Sequence, residues 1–178
     1  MTPQEFNAIF PLVHSWIRNT LASHSNAAKL VSSQGFARLP SYFTAELLVS
    51  SKFVTIDKVP LPPLSEMGLT RFAQLESGDF DGITYLDTFF LKKGRARDER
   101  LYFHELIHIV QWSLLGAERF LATYADGLEK YGYRDSPLEV MAYNAEAAFV
   151  QSSNIFDAEE LVANELARIG ALPSEEIS

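Results

Sequence analysis

The chain has 178 residues, a formal net charge of −8, 47% hydrophobic and 12% aromatic residues, and no cysteine. The missing cysteines exclude disulfides, iron–sulfur clusters, thiolate zinc sites and a cysteine nucleophile. The acidic balance argues against nucleic-acid backbone binding, and no apolar run reaches the roughly 18 residues that a membrane span needs.

These bounds predict a cytoplasmic globular domain, 1–178, with no repeat or long linker, and with no secretory signal in the opening Met1-Thr2-Pro3-Gln4-Glu5. Thr2-Pro3-Gln4-Glu5 has the form of a capping box, and Phe6, Ile9, Phe10, Val13, Trp16, Ile17 and Leu21 continue at helical spacing. A helix over 3–22 is predicted, kinked or split at Pro11. Residues 23–41 are mixed. A short helix at 44–50 and a strand at 52–59 follow, ending in the stiff Pro60-Leu61-Pro62-Pro63.

Residues 82–91 are rich in β-branched and aromatic types and read as a second strand. Asp98 can cap a helix over 99–115 that Gly116 stops. Further helices fit 117–126, 137–151 and 158–169, and the tail 173–178 is expected to fray. The pattern is α+β. Residues 1–80 carry too many apolar side chains for a linker and are expected to pack on a core spanning 82–150, with a C-terminal helix within 151–172.

One segment carries chemistry. His104-Glu-Leu-Ile-His108 puts two imidazoles one turn apart on one helix face, where both can reach a single metal ion. Glu105 lies about 100° further round, placed to act on a metal-bound water as general base without being a ligand. Gln111, one turn beyond His108, either lines the site or orients a ligand. The other histidines, His14 and His24, lie far upstream, so the third ligand is expected to be a carboxylate. Glu139 and Glu146 are seven residues apart on nearly one helical face, and spacing does not choose between them. Ser136-Pro-Leu-Glu139 is itself a capping box in which Glu139 would fold back on the Ser136 amide.

Lys92, Lys93, Arg95, Arg97 and Arg100 form a basic run before this helix. It is either a rim for acidic partners or a solvated loop.

The motif His104-Glu-Leu-Ile-His108, with Gln111-Trp112, Gly116 and Pro137-Leu-Glu139-Val-Met-Ala142-Tyr143, resembles the small gluzincin metallopeptidases across about residues 82–150. The resemblance implies a zincin-like fold, in which the zinc-motif helix and a glutamate helix pack with a small, mainly antiparallel sheet. It also implies zinc held by His104, His108 and Glu139, with Glu146 the runner-up. Glu139 and Ala142 match the family's pattern. Tyr143 stands where relatives carry the Asp that steadies a metal-bound histidine, a role left to Asn144 or a residue elsewhere. The strand over 82–91 would lie along the cleft edge and pair with an extended peptide.

The expected activity is peptide-bond hydrolysis of a peptide or protein substrate, with Glu105 as general base. Tyr143 would stabilise the oxyanion, with Tyr131 and Tyr133 as alternatives. Two other readings are a zinc-binding or regulatory module without activity and an effector protease specific for one partner protein.

Overall fold

The computed structural model describes residues 1–151 and 154–172, with Gln74 described for its backbone alone. The tail 173–178 lies outside the described residues. Helix α1 (Pro3–His24) starts at the Thr2–Glu5 capping box, both of whose hydrogen bonds form. It runs unbroken through Pro11, so the expected split does not occur. Pro11 forfeits its own N–H bond and crowds the carbonyl of Asn7, and burial of Val13 and Ile17 just beyond it offsets that cost.

Two-residue strand β1 (Lys29–Leu30) and short 3-10 turns lead to α2 (Ala45–Ser50), capped by the Thr44 hydroxyl, and then to β2 (Lys52–Ile56). Residues 57–81 leave the sheet at the end of β2, include the short α3 (Ala73–Glu76) and return to the same end of the sheet. The single strand expected over 82–91 is instead a hairpin of β3 (Gly82–Tyr85) and β4 (Thr88–Lys92). Leu86, at φ 56°, makes the turn. No Gly or Asn marks the reversal, so the run reads as continuous.

The sheet order is β1-β2-β4-β3. Both outer pairings are antiparallel, but the central β2–β4 pair is parallel, so the sheet is mixed. Phe89, Phe90 and Leu91 on β4 are fully buried, as suits a central strand covered on both faces. On one face Phe53 and Phe89 meet Tyr102 of α4 (Glu99–Tyr131), each with ring centroids 5.2 Å apart. On the other, Phe90 meets Tyr85 and His24 of α1.

Helix α4 begins at the expected Asp98 cap and breaks at Gly116, whose φ 68°, ψ 169° is open only to glycine. Its second half continues to Tyr131, beyond the expected 126. Helices α5 (Pro137–Gln151) and α6 (Ala158–Arg168) pack on α4, where Phe103 and Phe149 stack at 4.3 Å. One hydrophobic cluster runs from Val13 to Leu172, so residues 1–80 do pack on the rest. No helix among the described residues is long and apolar enough to cross a membrane.

Candidate metal centre

Every residue of α4 from Tyr102 to Trp112 is buried, including His104, Glu105, His108 and Gln111. Four polar side chains in a buried helix need partners. Each has them.

His104 Nε2 and His108 Nε2 face each other at 3.2 Å. Glu139 Oε2, from the first turn of α5, lies 3.6 Å from both. A tetrahedral site with Zn–N and Zn–O bonds of about 2.0–2.1 Å needs ligand atoms about 3.3 Å apart, and a point about 2.0 Å from all three atoms exists here. Glu139 Oε2 is buried and makes no hydrogen bond, so a cation would satisfy it. Among the described residues, His104, His108 and Glu139 are the one group of three arranged to hold a metal ion.

The capping box expected at Ser136 does not form: the Ser136 hydroxyl is buried without a partner, and Glu139 turns inward. There Tyr124, from the second half of α4, donates to Glu139 Oε1 at 2.8 Å. Burial pushes the Glu139 carboxyl up, but His108 and His104 outweigh it and hold it far below the carboxylate range.

Glu146 takes a different place. Its Oε2 accepts from His104 Nδ1 at 2.9 Å, and its Oε1 meets Arg100 Nε at 3.0 Å. Gln111 holds the other imidazole, with Oε1 2.8 Å from His108 Nδ1. The Gln111 amide nitrogen donates to Leu138 C=O and Met141 Sδ, which fixes its orientation and ties it to α5. Glu146 and the Gln111 carbonyl can only accept here, so each neutral imidazole carries its hydrogen on Nδ1 and turns the Nε2 lone pair toward Glu139. Gln111 therefore orients His108, and Glu146 steadies His104 from seven residues beyond Glu139.

Glu105 stands beside this triangle and outside it. Thr84 of β3 donates its hydroxyl to Glu105 Oε2 at 2.6 Å. A Cβ on Gly82 would lie 2.2 Å from Glu105 Oε1, so any side chain there would displace the carboxylate. Burial raises the Glu105 carboxyl above its ordinary range, while His104, His108 and the Thr84 hydroxyl pull against it. The sequence offered no sign of Thr84, Gly82 or Tyr124, because each reaches the site from a remote turn or strand.

The tyrosines separate. Tyr143 lies against the His104 ring at 4.7 Å, with Arg134 over its outer face. Tyr131 is exposed. Tyr133, with Glu105, His108 and Glu139, lines an apolar cavity of about 160 Å³ beside β3. Burial keeps its phenol protonated, reinforced by Glu139. His14 stacks on Phe10 and His24 bonds to Thr20 C=O, both away from the centre. In the basic run, Lys92, Lys93 and Arg95 pair with Asp79, Asp57 and Asp98, whereas Arg100, already on α4, pairs with Glu146 behind His104.

No protein family, curated protein or solved structure matches the chain. The site is a buried His–His–Glu group able to hold a metal ion, flanked by the further buried carboxylate of Glu105.

Proposed function

We propose that the chain is a zinc-dependent hydrolase of peptide bonds, with His104, His108 and Glu139 as ligands. The observation that carries this reading is the ligand triangle, with edges of 3.2, 3.6 and 3.6 Å and Glu105 one residue after His104. Two imidazoles and one carboxylate suit zinc in the pattern of a catalytic site, which keeps one position open.

When bound, the ion supplies an acidified water and a Lewis acid for the substrate carbonyl. Glu105 would take a proton from the attacking water and return it to the leaving amine, helped by the raised proton affinity that burial gives its carboxylate. Thr84 and Gly82 fix the Glu105 carboxylate for both transfers. Tyr133 is the better-placed donor to the carbonyl oxygen, since it borders the cavity; Tyr143 instead backs His104.

Zinc analysis of metal-replete, desalted protein is the test, with Glu105→Gln beside the wild type. About one zinc per chain in both, with hydrolysis of a mixed pool of peptides, N-acylated peptides included, in the wild type alone, is the expected result. Zinc-free wild type, or undiminished hydrolysis in Glu105→Gln, overturns the reading.

A second reading, a zinc-binding module without activity, draws on the Thr84–Glu105 hydrogen bond, which already engages one carboxylate oxygen. Zinc uptake with no hydrolysis of any peptide would favour it.

A further inference from the structure

The cavity beside β3 is bounded by three separate parts of the chain. Phe6 and Ile17 line it from α1, Leu64 and Phe72 from the return segment, and Leu121 and Leu128 from the second half of α4. Its polar corner is Glu105, His108, Tyr133 and Glu139. The space and the candidate metal centre are therefore continuous.

Phe6 and Ile17 are separated by about 16 Å of helix, so the cavity is long. At about 160 Å³ it is of the size that admits an aromatic ring or a chain of several carbons, and its length favours the chain. Many of its apolar walls, Phe6, Leu64, Leu121 and Leu128 among them, are only partly buried. An apolar occupant would complete that burial.

The strand edge offers less. Lys92 N–H donates to Asp81 C=O, so by the alternation of an antiparallel ladder Gly82 and Thr84 direct their backbone groups away from β4. Trp112 Nε1 already donates to the Thr84 carbonyl at 3.2 Å. That carbonyl is not open to a docking peptide, which weakens recognition by strand addition at this position.

We infer that the substrate carries a linear apolar chain of about six to eight carbons, next to its scissile amide, and that this cavity holds the chain. This rests on the proposed zinc site. Selection comes from residues 1–80 and the second half of α4, the parts that supply the apolar walls.

The test uses the full chain in two arms. Loaded with zinc, it is titrated with acetohydroxamate and octanohydroxamate; each buried methylene should tighten binding by about fourfold until the space is filled. Treated with chelator, it is heated with 1-octanol or ethanol, and octanol alone should raise the melting temperature. Ala125→Phe, which fills the cavity from α4, should remove both the chain-length gain and the octanol shift. Equal affinity for the two hydroxamates overturns the inference and leaves the zinc reading standing. If neither hydroxamate binds, the zinc reading fails and octanol decides alone: no shift overturns the cavity's role.

Discussion

Glu146 accepts a hydrogen bond from His104 Nδ1 at 2.9 Å, two turns along α5 from Glu139, which faces the Nε2 of the same ring. One helix thus supplies both a ligand candidate and the group that aims another ligand. Loss of such an orienting carboxylate weakens metal binding by about 10–100-fold. Glu146→Gln should show that loss in a chelator competition while still reaching one zinc at saturation. Glu139→Gln should fail to reach it. The reverse order of the two variants would exchange their roles.

Gly82→Ala places a methyl group where Glu105 Oε1 sits. The carboxylate must then shift, while the ligand triangle on α4 and α5 is untouched. Zinc content is expected to stay at one per chain and kcat to fall by about 10²-fold or more, the scale of a lost general base. Unchanged kcat would mean that Glu105 does not act from this position.

Metal uptake should release a proton. Burial opposes charge on His104, but Glu139 and Glu146 beside it prevail and push its pKa up to about 10, from an ordinary 6.5. A group raised on folding contributes stability that is complete below its unfolded pKa and is lost as pH rises through the folded one. Chelator-treated protein should therefore lose melting temperature between pH 6.5 and about 10. Glu139, held low, adds stability that persists above its ordinary 4.5 and is lost toward acid. At pH 8 zinc binding should expel about one proton, read from calorimetry in buffers of different ionisation enthalpy. A buffer-independent heat would contradict this.

Tyr124→Phe removes the partner of Glu139 Oε1 in a buried site. An unsatisfied buried acceptor costs about 1–3 kcal/mol. Chemical denaturation of the chelator-treated variant should show a loss of that size, and zinc affinity should weaken in parallel. No change in either would mean that the phenol contributes nothing to holding the carboxylate.

The helix that carries His104 and His108 was legible because its signals are local. Asp98, the His104–His108 spacing and Gly116 lie on one continuous stretch, and each does what helical geometry requires. The break at Gly116 is visible from composition alone, but not its result, which is to turn the second half of α4 so that Phe120 stacks on Trp112 at 3.8 Å and Tyr124 reaches Glu139. Glu139 was ambiguous because a capping box and a ligand have the same local sequence; only the packing, which buries Ser136, Leu138 and Glu139, turns the carboxylate toward the two imidazoles. The hairpin was missed because Leu86 occupies a backbone conformation that residue seldom adopts. The parallel β2–β4 pair has no local signature at all.

That parallel pair has an architectural consequence. The hairpin runs β3 antiparallel to β2, so Ile56 and Asp81 flank Lys92 at one end of the sheet, and residues 57–81 leave and re-enter there as one long excursion. The path it takes puts Leu64 and Phe72 over the cavity. Strands lie about 4.8 Å apart, so a few residues would cross from Ile56 to Asp81, and the remaining length of the segment is what roofs the cavity. The roof is thus an insertion on the sheet's connectivity, free to differ in length while the strands and the helix of His104 keep their places.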